Sequence, residues 1–141
     1  MKRKTLEQKG YRALINVLDR AYSEYIRLKY SNDNGLCICI TCKHWHHWSD
    51  IHNGHYINRD VIATRYDERN CRPQCVACNK YHSGKAYFFR QELVGIYGED
   101  VVNDIERIAN MGGNFDTWQL REMIVDYRKK VKELKKEKVS Y

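Results

Sequence analysis

Apolar residues recur at helical spacing near the start of the chain. Along residues 5–30 most of them fall on one stripe, and the charged residues fall largely outside it. The stripe consists of Leu6, Leu14, Val17, Leu18, Ala21, Tyr25 and Leu28. A run of Ser, Asn, Asp and Gly at residues 31–35 is a strong stop signal. The sequence therefore predicts a long amphipathic helix that ends before residue 31.

Helical spacing returns in the second half of the chain. A helix is predicted from about Ser83 or Lys85 to Gly98, and a shorter amphipathic segment follows it. Asp116 or Thr117 can cap a last helix, whose end is strongly basic. The apolar positions of this last helix are Leu120, Ile124, Tyr127, Val131 and Leu134. The chain is therefore expected to end, as it begins, in an amphipathic helix.

The middle of the chain, from Leu36 to about Lys85, shows no sustained helical period and is rich in Cys, His, Asn and Gly. Residues 36–40 and 55–57 have the composition of short strands. We therefore predict an α+β, mainly helical fold in which an insert lies between long amphipathic helices, in one structural domain overall. The predicted segments are residues 1–35, 36–98 and 99–141.

Two Cys-x-x-Cys pairs lie in this insert. They are Cys39 with Cys42 and Cys75 with Cys78. Two such pairs can present four thiolates to one tetrahedral zinc ion, in a closed structural site. Because the insert has few aliphatic residues, bound zinc would supply the stability that a core cannot. Cys37 and Cys71 are left over, and they are either ordinary buried thiols or replacements for one of the chosen ligands.

The charge of the chain favours a polyanionic partner. The net charge is +7 and the isoelectric point is near 9.1, so nucleic acid is the leading candidate, with an ordinary basic protein as the alternative. No apolar run approaches the ~20 residues that span a bilayer, so no membrane contact is expected. The basic N-terminus leads into an amphipathic helix rather than an apolar signal core, which predicts a cytoplasmic protein with reduced thiols.

A histidine and an asparagine beside the cysteine pairs suggest phosphodiester chemistry. His55 lies between the pairs, and a neutral imidazole can take a proton from water near neutral pH. Asn79 directly follows the second pair, and an amide carbonyl suits Mg²⁺. A histidine in a glycine-containing loop is by itself more often structural. Its position between the pairs, with an asparagine attached to one of them, favours a catalytic role.

These motifs resemble the His-Asn-His (HNH, ββα-metal) nucleases in their zinc-knuckled, endonuclease VII-type form, and they are more similar still to the NinG (Rap) phage recombination family. Several motifs agree with that family in order and spacing, from about residue 11 onward. The motifs are Cys39-Ile40-Thr41-Cys42, Gly54-His55-Tyr56, Arg65-Tyr66-Asp67-Glu68-Arg69-Asn70, Gln74-Cys75-Val76-Ala77-Cys78-Asn79 and Ser83-Gly84-Lys85.

The resemblance implies a phage- or prophage-encoded endonuclease that acts in the bacterial host cell. Its substrates would be branched double-stranded DNA intermediates such as Holliday junctions and D-loops. The resemblance makes His55 the general base, Asn70 the residue that orients the base and its loop, and Asn79 a ligand of a catalytic Mg²⁺ or Mn²⁺. It also makes residues 36–98 a ββα-metal module stapled by structural zinc. The zinc ligands it implies are Cys39, Cys42, Cys75 and Cys78.

One position departs from the family pattern. Many HNH nucleases have a metal-ligating aspartate directly before the base, where this chain has Gly54. Glu68 and Asp67 rank first as replacements because they precede Asn70 in the matched motif. The further candidates for this ligand are Asp50 and His52.

Basic residues near these motifs are predicted to contact phosphates without reading sequence, although each could instead belong to a solvated charged face. They are Arg59, Arg65, Arg69, Arg72, Lys80 and Lys85. The aromatic and histidine run at residues 44–48 is either a stacking loop for unpaired bases or a surface turn.

The long outer helices and the two-fold symmetry of a four-way junction predict a homodimer. The alternative is that both helices pack on the helices of residues 85–110 within one chain. For the function, the alternative to a nuclease is a non-catalytic, zinc-finger-like protein that binds nucleic acid. A binding module needs the cysteines but has no use for a base and a hard-metal ligand beside them, which favours the nuclease.

Overall fold

Helices occupy both ends of the chain, and two small antiparallel sheets lie between them. The computed structural model describes residues 2–138. In chain order the elements are α1 (Tyr11–Lys29), β1 (Leu36–Ile38), β2 (Trp45–His47), β3 (His52–His55), α2 (Ile62–Arg65), β4 (Cys71–Gln74), α3 (Ala86–Tyr97), α4 (Glu99–Met111) and α5 (Thr117–Glu137). Short 3₁₀ or π turns occupy Leu6–Gln8, Glu68–Asn70, Ala77–Tyr81 and Ser83–Lys85. The predicted α+β, mainly helical class is confirmed.

The main core lies between α1 and α5, whose apolar faces cover each other within one chain. Tyr22 of α1 is 1% exposed, and its ring meets the rings of Tyr66 and Tyr127 edge-on, with centroids 5.5 and 5.0 Å apart. Such T-shaped pairs are a favoured aromatic geometry. The two long helices therefore pack mainly on each other, which neither of the sequence-based alternatives anticipated.

The ends of the helices follow the capping rules. The carboxylate of Asp116 accepts a hydrogen bond from the backbone N–H of Gln119 at 2.8 Å, and the Gln119 side chain accepts one from the backbone N–H of Asp116 at 2.8 Å. Gly98 separates α3 from α4 with a φ of 91°, a value that favours glycine. Among residues 2–138 no helix has both the length and the apolar character needed to cross a membrane.

Each sheet has two strands. Strand β1 pairs with β2 so that Leu36 lies opposite His47. Strand β3 pairs with β4 so that His52 lies opposite Gln74 and His55 lies opposite Cys71. This second hairpin encloses the loop of residues 56–70, and it leads directly into the second cysteine pair.

The predicted strand at residues 55–57 lies too late in the chain. After His55 the backbone N–H groups donate to Asn70 and no longer to the neighbouring strand. The backbone N–H of Tyr56 donates to the carbonyl oxygen of Asn70 at 2.9 Å, and that of Ile57 donates to Asn70 Oδ1 at 2.8 Å. The chain therefore leaves the sheet at His55, and the strand occupies the preceding residues instead.

The insert is stabilised by two small clusters of buried side chains. One joins Ile40 to Phe89, Leu93 and Val102 of the following helices. The other consists mainly of cysteines and contains Cys37, Cys39, Ile51, Cys75 and Cys78. Because thiols occupy most of this second cluster, its stability depends on what the thiols bind.

Candidate functional site

Four cysteine thiols come together between the two hairpins. The Sγ atoms of Cys39, Cys42, Cys75 and Cys78 all lie within 4.8 Å of one another. The Sγ atoms of Cys42 and Cys75 are 3.7 Å apart. A tetrahedral zinc ion with Zn–S bonds of about 2.3 Å places its sulfur ligands about 3.8 Å apart. The cluster can hold a zinc ion, and it contains the cysteines that the spacing predicted.

Backbone N–H groups of the two pairs point at the sulfur atoms. Cys39 Sγ accepts hydrogen bonds from the N–H groups of Cys42 and Cys75 at 3.5 and 3.3 Å, and Cys75 Sγ accepts one from that of Cys78 at 3.4 Å. Burial opposes ionisation of Cys39, but these donors and Thr41 outweigh it and lower the pKa of the Cys39 thiol to about 6. The local backbone therefore favours thiolate, the form that binds metal, at Cys39. Burial instead raises the pKa of Cys42, and it raises that of Cys75 to about 12.

The two remaining cysteines lie outside this cluster of ligands. Cys37 Sγ donates to the carbonyl oxygen of Arg27 at 3.2 Å, and Cys71 is buried in the core between α1 and α5. Burial raises the pKa of Cys37 to about 11 and that of Cys71 to about 12. Both are therefore protonated, buried thiols, as the simpler of the two sequence interpretations expected.

His55 ends β3 with its ring fixed at one nitrogen. Its Nε2 lies 2.9 Å from the carbonyl oxygen of Arg65, which can only accept, so Nε2 carries the proton. In the neutral ring Nδ1 then bears the free lone pair. Burial is the main cause that lowers the pKa of His55 below its ordinary value. The ring is therefore neutral near pH 7 and able to accept a proton.

Asn70 is completely buried and fixes the loop that holds His55. Its Oδ1 accepts from the backbone N–H of Ile57 at 2.8 Å, and its Nδ2 donates to the carbonyl oxygens of Ile57 and Thr64, each at 3.1 Å. Thr64 directly precedes Arg65, whose carbonyl holds the His55 ring. Asn70 is thus placed to act on the histidine through the loop and not by direct contact.

Asn79 follows the second cysteine pair and contacts a second histidine. Its Nδ2 lies 3.0 Å from His52 Nδ1 and donates to it, which leaves the amide oxygen Oδ1 available as a ligand. Burial lowers the pKa of His52, so its ring is neutral and can accept this bond. His52, His55 and Asn79 line one cavity of about 410 Å³.

Asn53 was not singled out by the sequence, yet it lines the same cavity. Its Oδ1 is buried and has no hydrogen-bond partner among the described residues 2–138. Buried polar atoms are usually paired, so this oxygen is available to bind a ligand. Alternate residues of a strand share a face, which places Asn53 with His55. The sequence pattern missed this relation because it placed the strand at residues 55–57, whereas the strand ends at His55.

Gly54 leaves no space for a side chain. A Cβ there would lie 2.7 Å from both Cβ and Oε1 of Gln74 and 3.1 Å from the carbonyl oxygen of Arg72. Gln74 is buried, and its Nε2 donates to Thr41 Oγ1 and to the carbonyl oxygen of Gly84. The close approach of the strands therefore excludes the aspartate that many HNH nucleases have at this position.

Replacing Gly54 with alanine is expected to destabilise the fold by about 1–3 kcal/mol, the usual cost of overpacking. Urea unfolding of the zinc-loaded protein measures this. Gly95→Ala is the matched control, because nothing lies within 4 Å of a Cβ at this position in α3, and alanine there should stabilise by up to about 1 kcal/mol. A Gly54→Ala protein as stable as the wild type would contradict the close strand approach.

Glu68 and Asp67, the first choices for a carboxylate ligand, face away from the cavity. Glu68 accepts hydrogen bonds from Tyr25 Oη at 3.0 Å, Lys29 Nζ at 3.1 Å and Tyr127 Oη at 3.2 Å. The carboxylate of Asp67 is occupied by Arg69 at 2.7 Å. Neither carboxylate lines the cavity, because Glu68 lies against tyrosines of α1 and α5 and Asp67 is held by Arg69. This placement argues against both as ligands of a metal beside His55.

Two of the predicted phosphate-binding arginines are engaged by carboxylates. Arg65 is buried and paired with Asp19, to which its Nε donates at 2.9 Å. Arg69 pairs with Asp67 and also with Asp104 at 3.1 Å. Arg65 therefore lies in an ion pair at the wall of the cavity, and Arg69 is largely neutralised. Their role as phosphate contacts stays a prediction.

The other four basic candidates have different settings. Arg59 is exposed at the edge of the cavity, Lys80 is exposed, and Lys85 is half-buried at the start of α3. Arg72 lies over the ring of Tyr30, 3.9 Å from its centroid, and donates to Tyr97 Oη. Arg59, Lys80 and Lys85 are the members of the predicted set that are placed to meet a phosphate near His55.

The histidine and tryptophan run does not reach this cavity. Trp45 lies on β2, is 57% exposed and lines a separate groove with Ile38 and Arg72. Trp48 packs inward, with the guanidinium of Arg27 5.4 Å from its ring centroid. The run therefore has one outward and one inward tryptophan, and its role as a stacking loop stays a prediction.

Comparison with known proteins agrees with this set of motifs. The family model described as "NinG: Bacteriophage Lambda NinG protein" matches residues 1–137. Protein ninG of Escherichia phage 933W is 35% identical over 85 residues, which are 58% of this chain and 41% of that protein. Protein ninG of Escherichia phage lambda is 34% identical over 88 residues, 58% of this chain and 40% of that protein. The chain thus spans about two fifths of the length of these curated relatives. No solved structure matches it.

Proposed function

The chain belongs to the NinG family of bacteriophage proteins, and from this membership and the cavity at His55 we propose that it is a metal-dependent HNH-type endonuclease that cuts branched DNA recombination intermediates. The observation that carries the proposal is the His55 ring, which donates from Nε2 to the Arg65 carbonyl and keeps a free lone pair at Nδ1. A general base needs one ring nitrogen with an available lone pair, and Nδ1 of His55 provides it.

In this proposal His55 accepts the proton of the water that attacks the phosphodiester. Its lowered pKa keeps the ring neutral at physiological pH. Asn70 is a positioning residue, because its three hydrogen bonds to the loop set the carbonyl that orients the ring. Strands β3 and β4 and the turn at Ala77–Tyr81 would form the ββα-metal arrangement of the HNH class.

The residues of the cavity fit a hard divalent cation, Mg²⁺ or Mn²⁺. Asn79 offers an amide oxygen whose orientation is set by His52, and Asn53 offers a buried oxygen that has no other partner in residues 2–138. Oxygen donors of this kind are what Mg²⁺ prefers, and it keeps several waters besides. A cation held there would neutralise charge on the scissile phosphate and the leaving oxygen. Asn53 takes the place that the sequence first gave to Glu68 and Asp67.

The positive side chains near the cavity suit a DNA backbone. Arg59, Lys80 and Lys85 would contact phosphates without reading sequence. Zinc at the cysteine cluster would act structurally, because four thiolates leave no open position. We also propose a two-fold dimer, since the resolution of a four-way junction needs two matched cuts and the junction itself has two-fold symmetry.

One observation favours the alternative, a zinc-finger-like protein that binds nucleic acid without cutting it. Within residues 2–138, Asp19 is the only carboxylate that lines the cavity, and it is engaged by Arg65 and by Tyr66 Oη at 2.8 Å. A cation would therefore rest on amide and imidazole donors, the substrate and water. The two functions differ in whether DNA is broken.

The test is cleavage of a labelled four-way junction and a matching linear duplex over a titration of Mg²⁺, with EDTA as the metal-free arm. We expect paired nicks in the junction, none in the duplex and none with EDTA. Asn79→Ala and Asn53→Ala should each raise the Mg²⁺ concentration needed for cutting by at least about ten-fold. Asn110→Ala, a change at an exposed position of α4, is the matched control and should cut like the wild type.

Tight junction binding without nicks in either Mg²⁺ or Mn²⁺ would overturn the nuclease and support the binding protein. Equal cutting of junction and duplex would overturn the preference for branches but keep the chemistry. An unchanged Mg²⁺ requirement in Asn53→Ala, with a raised one in Asn79→Ala, would remove Asn53 from the site and leave Asn79 in it.

A further inference from the structure

We propose that an aromatic platform, formed by Tyr81, Tyr87 and Phe88, stacks on the bases that a DNA branch point leaves exposed and so gives the protein its preference for branched DNA. The proposal rests on the proposed function, because it names how that site selects its substrate. The side chains of the platform take no part in the proposed catalytic step.

The three rings of the platform are unusually exposed for aromatic side chains. Tyr81 is 71% exposed, Tyr87 is 69% exposed and Phe88 is 54% exposed. The rings of Tyr87 and Phe88 meet at nearly right angles with centroids 5.4 Å apart. Phe89, next in sequence, is completely buried and anchors this end of α3. Tyr87 and Phe88 therefore form an exposed aromatic pair, and Tyr81 lies six residues before Tyr87 in the chain. Exposed apolar surface of this kind often marks a binding site.

The platform residues flank, in the chain, a segment that lines a second cavity beside His55. The segment between Tyr81 and Tyr87 supplies Ser83, Gly84 and Ala86 to a cavity of about 430 Å³ that His55 and Asn79 also line. These residues lie within two or three positions of the platform rings in the chain. A nucleotide stacked on the platform would therefore keep its neighbouring phosphates at the mouth of this cavity.

The turn that carries the platform is held in a strained conformation. Ser83, Gly84 and Lys85 follow one another with φ values of 52°, 77° and 48°, a left-handed region that side chains other than glycine rarely adopt. The buried Gln74 holds the turn by donating from Nε2 to the carbonyl oxygen of Gly84 at 2.7 Å. Strain of this kind persists where the surroundings enforce it, and it clusters at ligand-binding segments. Gln74 also packs against Gly54, so one side chain ties the turn to the strand that precedes His55.

The charge around the platform identifies a polyanion as its partner. Residues 80–91 contain no Asp or Glu, and they contain Lys80 and Lys85 next to the platform rings in the chain. Arg90 also lies in this stretch, but it is paired with Glu106. A two-fold contact with a second copy of the chain would bring this basic stretch against itself. A nucleic acid instead meets the cations with phosphates and the rings with bases.

Stacking explains a preference for branches. Every base has a flat face, so stacking on an aromatic side chain tolerates any sequence. In a continuous duplex each face is covered by the neighbouring base pair, whereas a branch point exposes the terminal faces of its arms. The platform should therefore bind where the duplex is interrupted and show no preference for its sequence.

The test measures binding in a His55→Ala background, so that no cutting consumes the substrate. The zinc-loaded full chain with Tyr81→Ala, Tyr87→Ala and Phe88→Ala should bind a four-way junction about 10- to 100-fold more weakly, while binding to a linear duplex should change by less than about three-fold. Tyr81→Phe with Tyr87→Phe keeps the rings and should keep the junction affinity. Trp118→Ala removes an aromatic ring that is 64% exposed on α5 and should change neither affinity.

Three results would overturn the proposal. Unchanged junction binding would remove the platform from recognition, and an equal loss on junction and duplex would make it a general DNA contact. A change of oligomeric state in the triple variant, measured by light scattering, would make the patch an interface between copies. This test can fail or succeed independently of the nuclease proposal. If the wild-type protein never cuts DNA but the triple variant loses junction affinity as predicted, the enzyme is rejected and the platform is retained.

Discussion

Replacing His55 with alanine is expected to lower the rate of junction cleavage by about 10²- to 10⁴-fold, the usual contribution of a general base. Zinc content and junction affinity should stay at wild-type values, since the side chain makes one hydrogen bond, to the Arg65 carbonyl. Single-turnover cleavage at saturating protein measures the effect on the chemical step. The matched control is His44→Ala, which removes an exposed imidazole outside the cavity and should retain full activity.

The pH dependence of the wild type gives an independent readout of the same residue. The base must be neutral, so the rate should fall as pH drops through the pKa of His55. Because burial holds that pKa below its ordinary value of about 6.5, the midpoint of this fall should lie below pH 6.5. Rates measured between about pH 5 and 8 would locate it.

Two outcomes would reject this role for His55. Cleavage by His55→Ala within about three-fold of the wild type would exclude it as the base, since general-base catalysis contributes at least about 10²-fold. Loss of zinc or of junction affinity together with activity would show that the histidine is structural. A cleavage rate that does not fall at low pH would point to a base other than an imidazole.

The long helices and the zinc cluster were predictable because each carries a strong local signal. The stripe from Leu14 to Leu28 repeats at helical spacing over most of α1, and the two cysteine pairs repeat one spacing that few other sites require. Both signals need only residues that are close in sequence. Pairing of α1 with α5 is different, since an apolar stripe shows that a helix is covered but not by which partner.

The ligands of the cavity were harder to predict because they depend on strand register and on distant partners. A shift of three residues in the predicted strand hid the relation of Asn53 to His55, and the motif order drew attention to Glu68 instead. Arg65 looks like a surface arginine in the sequence, yet Asp19 neutralises it from a position 46 residues away. Proximity in sequence predicted the loop that Asn70 fixes, but not which side chains of that loop face inward.

Gly54 shows how an apparent defect in a motif can follow from packing. The missing aspartate raised doubt about the metal site, but the buried Gln74 already fills the space that its side chain would need. The same Gln74 holds the turn at Gly84 that carries the aromatic platform. A chain with an aspartate at position 54 would therefore have to displace the residue that links the strands to this turn.

Loss of zinc is expected to unfold the insert, and Cys75→Ser is the variant that shows it. Three of the four ligands, Cys39, Cys75 and Cys78, form most of a small buried cluster that contains a single aliphatic residue, Ile51. Structural zinc contributes about 10–16 kcal/mol in small zinc modules, which is comparable with the whole stability of a typical domain, about 5–15 kcal/mol. Without zinc the four thiols lose the ion that would join them, and little aliphatic surface holds the cluster together.

The unfolding should be partial and measurable by region. The core between α1 and α5 contains no zinc ligand, so part of the helical circular dichroism should persist while hydrogen exchange in residues 36–85 becomes fast. Zinc measured by atomic emission should fall from one ion per chain to none.

Cys37→Ser is the matched control, because serine can keep the bond to the Arg27 carbonyl, and it should retain both zinc and fold. If Cys75→Ser kept its zinc while Cys37→Ser lost it, the ligand set would be wrong. Because β4 ends at Gln74 and leads directly into Cys75, loss of zinc should also release Gln74, Gly54 and the His55 strand. The proposed cleavage should therefore disappear with the metal, although the zinc is proposed to act only structurally.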